Sequence, residues 1–268
     1  MLAPNETLYF LHIPKTAGTS VSTWLASHFR AAETCQILEF SQLRSNREEL
    51  RRYRFLAGHW GMRLLDLIER PRIVTWLRDP ARRMLSSYNY LRNLDPEMQA
   101  LLTDPFAIKQ HKAAQRLSFA DWVLLPQEDY AHHETMAQCL YPYELWDEHV
   151  LSDTITSLDQ LDHIGLVERM QDSVDLLCQK FVWLPTRFDL RLNASKSVTT
   201  EIDERTLAAI RERNPWDYAV YERGKRLFDA RWHAMLKSLG LETADGKEMN
   251  DVAAQQVQTT EVRETLHR

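Results

Sequence analysis

The feature that most limits this chain is a seven-residue break, Pro14-Lys15-Thr16-Ala17-Gly18-Thr19-Ser20, set between an apolar run and an amphipathic one. Leu8-Tyr9-Phe10-Leu11-His12-Ile13 is short, apolar and rich in β-formers, which predicts a buried strand. After the break, Val21, Trp24, Leu25 and Phe29 recur at helical spacing. Strand, tight loop and helix make the front half of a βαβ unit. A strand apolar on both faces must be covered on both, which steers the chain towards a parallel sheet between helices.

The same alternation continues downstream. Residues 53–57, closed by Gly58, predict a second strand, and Arg72-Ile73-Val74-Thr75-Trp76-Leu77 predicts a third. The third strand ends at Arg78-Asp79-Pro80, where Asp79 can cap a helix and Pro80 suits its first turn, so 81–94 reads as a helix. Residues 163–167 predict another strand, followed by a helix over 172–181. Helices are also expected over 203–213 and 217–239, parted by Asn214-Pro215-Trp216. Between 93 and 150 the pattern turns helical, polar and aromatic, which suggests an insertion over the carboxyl edge of the sheet, where open α/β folds bind ligands. The expected fold is therefore α/β: a P-loop-like parallel sheet flanked by helices, with a helical insertion over the active site. One domain spans 1–240, and 241–268 is a polar tail.

A loop between a strand and a helix offers backbone N–H groups and a helix N-terminus to an anion. Gly18 lets the backbone come close to a phosphate, Thr19 and Ser20 add hydroxyls, and Lys15 adds a mobile charge. The pattern is not a Walker A loop: its Lys precedes the Gly by three positions, and Thr19 stands where the Walker Lys would be. Arg78 at a strand end presents a fixed guanidinium fork, and Ser86, eight residues on, can point the same way from the helix. His59, after a short strand and Gly58, is a candidate general base because imidazole titrates near neutrality.

Phe10 to Ser20 resembles the 5′-phosphosulfate loop of sulfotransferases that use 3′-phosphoadenosine 5′-phosphosulfate (PAPS). The likeness is to the branch holding heparan sulfate 2-O-sulfotransferase and its bacterial relatives. Trp76 to Tyr88 resembles the 3′-phosphate motif of the same family. The resemblance implies sulfuryl transfer from PAPS to an acceptor hydroxyl, with no metal. It implies that Thr16, Ala17, Gly18, Thr19 and Ser20 cradle the 5′-phosphate while Lys15 assists the leaving oxygen. Arg78 and Ser86 would hold the 3′-phosphate, and His59 would be the catalytic base. Leu192-Asn193-Ala194-Ser195-Lys196 lies where relatives place a loop over the nucleotide, so Ser195 and Lys196 are further donor contacts by resemblance. His12, expected buried, and His111, His132 and His133 are competing histidines; Glu39 and Glu168 are alternative carboxylate bases. Arg82 and Arg83 are expected to face solvent or pair with acids. Two other readings stay open: a non-catalytic module that binds a phosphorylated nucleotide, and a P-loop nucleotide kinase needing ATP and magnesium.

Charge supports an anionic ligand met at one place. Residues 44–92 hold twelve Arg against five acids, +7 in a chain whose net charge is −5. The acidic remainder, without a basic-aromatic motif, argues against nucleic acid. No run approaches the roughly 18 apolar residues of a membrane span. No basic segment precedes an apolar one at the N-terminus, so no signal peptide is expected. Cys35, Cys139 and Cys178 fit neither a disulfide framework nor a zinc pattern, which points to buried free thiols in the cytoplasm. The resemblance implies a hydroxyl-bearing acceptor, with a glycan, a lipid and a small metabolite all left open; an acidic surface is a poor host for a strongly anionic polymer.

Overall fold

The structure is a computed structural model that describes residues 2–35, 47–100, 102, 105–126, 133–143, 145–190 and 201–241. Ser195, Lys196, Glu39 and His132 lie outside the described residues. In chain order the elements are β1 (Thr7–Leu11), α1 (Gly18–Ala26), α2 (Arg47–Leu50), β2 (Phe55–Gly58), β3 (Pro71–Leu77) and α3 (Pro80–Arg92). There follow α4 (Pro96–Ala100), α5 (Pro105–Arg116), α6 (Phe119–Val123), α7 (Thr135–Leu140) and α8 (Val150–Asp159). The chain closes with β4 (His163–Leu166), α9 (Met170–Phe181), α10 (Glu204–Arg213) and α11 (Pro215–Ser238).

The four strands pair in parallel in the order β2-β1-β3-β4. Tyr9 lies between Leu56 and Ile73, and Val74 pairs with His163. All strands point one way, so Leu11, Gly58, Leu77 and Leu166 end on a single edge. The chain leaves β1 for one neighbour and then crosses to the other side for β3. The order reverses between β1 and β3, and ligands of open α/β sheets bind beyond the carboxyl ends at such a point.

Strand alternation sorts the core into two layers. Tyr9, Leu11, Leu56, Ile73 and Leu77 pack with Val220 and Phe228 of α11. Leu8, Phe10, Phe55, Val74 and Trp76 pack with α1 (Trp24, Leu25) and α9 (Val174, Leu177). Leu8 to Leu11 are fully buried, at about 1.5–3 kcal/mol per large apolar side chain. A third cluster joins α3 (Met84, Leu85, Leu91) to Trp122 of α6 and Ile210 of α10.

α3 begins as its sequence predicts: Pro80 occupies the first turn, and Asp79 Oδ1 accepts from Arg82 N–H at 2.9 Å. α1 begins at Gly18, three residues before the apolar periodicity starts. The described part of the 93–150 segment holds the helices α4 to α7 and is tied down by mutual capping. Glu134, just before α7, accepts from the N–H groups of Trp216 and Asp217 at 3.0 and 2.6 Å. In return Asn214 Oδ1 accepts from Glu134 N–H at 3.1 Å, and Asp217 Oδ1 accepts from Ala137 N–H at 2.9 Å. Each helix satisfies the other's orphan donors. Behind them Arg83, 0% exposed, lies 3.6 Å from Asp217, while Arg82 is exposed. Cys178 is buried, whereas Cys35 and Cys139 are only half-buried; all three are free thiols. Among the described residues no helix is long and apolar enough to cross a membrane.

Candidate functional site

The loop after β1 has an unusual backbone. Lys15 and Ala17 take φ of 69° and 62°, the left-handed region that costs an L-residue roughly 1–2 kcal/mol. Left-handed residues alternating with ordinary ones turn successive N–H groups inward, the geometry of an anion nest. The N-cap of α1 is Ala17, whose side chain cannot cap the helix. Strain of this kind collects at functional sites. Thr16 is buried and its Oγ1 donates to Ile13 C=O at 2.8 Å, so its hydroxyl staples the loop and only its backbone is left for a ligand. Gly18 and Ser20 are buried, Ala17 is half-buried and Thr19 is exposed. A Cβ on Gly18 would run into the His12 imidazole, so the missing side chain makes room for that ring.

His59 follows β2 and its Nδ1 lies 2.7 Å from His12 C=O. A carbonyl only accepts, so Nδ1 carries the proton and Nε2 keeps its lone pair. The His12 and His59 rings sit 4.1 Å apart, and His12 also stacks on Phe10 at 5.4 Å. His12 is half-buried rather than buried, and its N–H donates to Gly58 C=O at 3.0 Å. Desolvation, and then the Lys15 charge, hold the His59 pKa below the ordinary imidazole value despite its bond to His12. Burial, with His59 and Lys15 nearby, brings His12 down to about 3. Both rings are therefore neutral at pH 7.

Arg78 closes β3, and its Nη1 donates to Lys15 C=O at 3.2 Å. This bond bridges the ends of β1 and β3, where the strand order reverses. Arg78 Nε is buried and has no hydrogen-bond partner among the described residues. A desolvated guanidinium with a spare donor suits an anion. Lys15 Nζ lies 3.7 Å over the centre of the Tyr90 ring. Burial, then the Arg78 charge, lower the Lys15 pKa to about 8. Ser86 is half-buried and one turn before Tyr90, so the two share a face of α3.

Lys15, His59 and Arg78 are thus brought together, and Ser86 is on the helix face beside them. The competing residues Glu168, His111 and His133 are engaged elsewhere. Glu168 Oε1 accepts from Asp79 N–H at 2.9 Å and Oε2 accepts from Tyr221 O–H at 3.1 Å, which makes it a strut for the Arg78-Asp79 corner. His111 is buried with Nδ1 2.7 Å from Leu91 C=O. His133 is buried beside Glu134, and burial takes its pKa to about 4. Two partners escape the sequence reading: the His12 carbonyl that orients His59, and Tyr90. The only signal for Tyr90 is its position four residues after Ser86.

A cavity of about 490 Å³ opens between α3, α5, α6 and the approach to α10, lined by Tyr88, Arg92, Arg116, Phe119 and Asp203. Tyr88 projects from the opposite side of α3 to Tyr90, so this cavity faces away from Lys15. Among the described residues no group of three or more His, Cys, Asp or Glu side chains could hold a metal ion. The chain matches no protein-family model and no curated protein sequence.

Proposed function

We propose that this chain is a sulfotransferase that moves a sulfuryl group from PAPS to the hydroxyl of a glycan, lipid or small metabolite. The reading takes the sheet as P-loop-like and 93–150 as a cap over the acceptor side. One observation carries it: Arg78, sixty-three residues from Lys15, bonds the Lys15 carbonyl where the strand order reverses, with His59 alongside. Two cations and a strained amide loop at one point suit a nucleotide with two phosphate groups.

In this mechanism the loop amides and Lys15 hold the 5′-phosphosulfate, and Arg78 with Ser86 holds the 3′-phosphate. His59 Nε2 takes the proton of the acceptor hydroxyl. The acceptor oxygen bonds to sulfur as the bridging oxygen–sulfur bond breaks, and that electron pair passes to the 5′-phosphate. Lys15 and the amides stabilise the growing charge. His59 is set for this work because His12 C=O fixes its tautomer. A module that only binds nucleotide has no use for that orientation, which favours catalysis over binding alone.

The test is calorimetry with adenosine 3′,5′-bisphosphate, together with sulfate transfer from radiolabelled PAPS to a panel of hydroxyl acceptors. His59→Ala is expected to lower turnover roughly 10²–10⁴-fold while the bisphosphate still binds. No uptake of the bisphosphate would overturn the assignment. Binding without transfer to any acceptor, in wild type and variant alike, would favour the binding module.

A further inference from the structure

Lys15 lies beside a like charge. Arg78 approaches it from the end of β3. His12 and His59, both neutral, sense its charge from the ends of β1 and β2, and Glu168 is turned to Asp79 and Tyr221. Among the described residues the ammonium has an attractive partner in the Tyr90 ring, 3.7 Å from Nζ to its centre. A ring face attracts a cation through its quadrupole, and more strongly where water is excluded. Tyr90 is half-buried and its ring is anchored on the apolar cluster of α3 and α6.

We propose that Tyr90 is a positioning residue for Lys15: its ring holds the ammonium beside the loop until an anionic group in the loop draws it away. This deepens the sulfotransferase reading and rests on it only for the identity of that anion. Lys15 would then have two seats, one on Tyr90 and one on the 5′-phosphosulfate. Ser86, one turn from Tyr90, sits beside the first seat. The ring is neutral and releases the cation at small cost, which a carboxylate in the same place would not do. The contact needs the ring and not the phenolic hydroxyl, so Phe should replace Tyr and an aliphatic side chain should not.

The experiment follows the Lys15 side chain by NMR in the full-length chain, free of nucleotide, with ¹³C-labelled lysine. The chain has eight lysines, and Lys15→Arg assigns the signal. In wild type and Tyr90→Phe the Lys15 methylene next to nitrogen should be shielded by the ring and should titrate alike. In Tyr90→Leu the shielding should vanish and the pKa should fall by about 0.5–1 unit, the loss of a partly desolvated cation–π contact. Tyr90→Met offers a longer, unbranched and more adaptable side chain to the apolar cluster, so it serves where Leu disturbs the fold; the same shift is expected. Unchanged shielding and titration in both aliphatic variants would overturn the proposal, as would a Phe variant that behaves like Leu. A second arm adds adenosine 3′,5′-bisphosphate. Loss of shielding in wild type supports the two seats. A shielded Lys15 with the nucleotide bound overturns them. Nucleotide that does not bind at all sinks the sulfotransferase reading and leaves the first arm to decide the role of Tyr90.

Discussion

Arg83→Met tests whether the interior salt bridge holds the 93–150 segment to the sheet domain. Arg83 and Asp217 are each 0% exposed and 3.6 Å apart. Removing one partner of a buried pair costs about 3–5 kcal/mol, because the other charge stays desolvated. Asp217 Oδ1 keeps the Ala137 N–H at 2.9 Å, which places the loss near the lower bound, at about 3 kcal/mol. For a domain of this size that lowers Tm by about 6–12 °C. The loss also depends on pH. Burial raises the Asp217 pKa and Arg83 opposes that rise, so without Arg83 it climbs further. An acid whose folded pKa is raised keeps its stability at low pH and loses it as pH rises, so the variant should be hurt more near about pH 8 than near about pH 5. Urea unfolding read by tryptophan fluorescence measures both effects; Trp216 adjoins the pair. Near about pH 5, where Glu134 is protonated, Arg83→Met with Asp217→Asn should return to within about 1 kcal/mol of wild type, since Asn still accepts from Ala137 and no charge is stranded. Equal loss in the single and double variants, or a single-variant loss independent of pH, would refute the argument.

Glu134 should give the wild-type chain a second pH signature. Burial, and then Asp217, raise its carboxyl from 4.5 to about 7, so its contribution is full below about pH 4.5 and is lost as pH rises to about 7. Glu134→Gln should flatten that decline in urea unfolding, by up to about 3 kcal/mol across the window. Gly18→Ala should displace the His12 ring, cost about 1–3 kcal/mol in thermal unfolding, and cut turnover further by moving the carbonyl that orients His59. An anion bound at Lys15 should raise its pKa from about 8, so the bisphosphate should bind with proton uptake near that pH. Calorimetry in buffers of different ionisation heat measures this, and Lys15→Met should abolish it.

The layered fold was legible because strand and helix signals agree locally. Residues 72–77 are apolar on both faces and end at an Asp-Pro corner, and β3 runs Pro71–Leu77 with Asp79 as the cap of α3. β4 and α9 lie within two residues of the expected bounds. The start of α1 is not legible in the sequence because Gly18, Thr19 and Ser20 carry no apolar periodicity; that turn is set by the left-handed Ala17 before it. The internal tie of 93–150 was not legible. The sequence leaves Arg83 to face solvent or to pair with an acid and cannot name that acid; only the tertiary packing of α3, α7 and α11 buries it with Asp217 and Glu134.

The site divides in the same way. Lys15, His59 and Arg78 could be picked out one by one, because each follows a strand and carries the right chemistry. Their proximity could not, because a linear pattern of strands is silent on order. With β3 placed next to β2 instead of β1, Arg78 would stand a further strand, about 4.8 Å, from the Lys15 loop and its bond to the Lys15 carbonyl would be lost. His59 needs β2 beside β1 for the same reason, since its partner is the carbonyl of the residue that follows β1. The order β2-β1-β3 is the one arrangement of these three strands that sets both side chains against the same loop. The candidate chemistry thus depends on sheet order as much as on the residues.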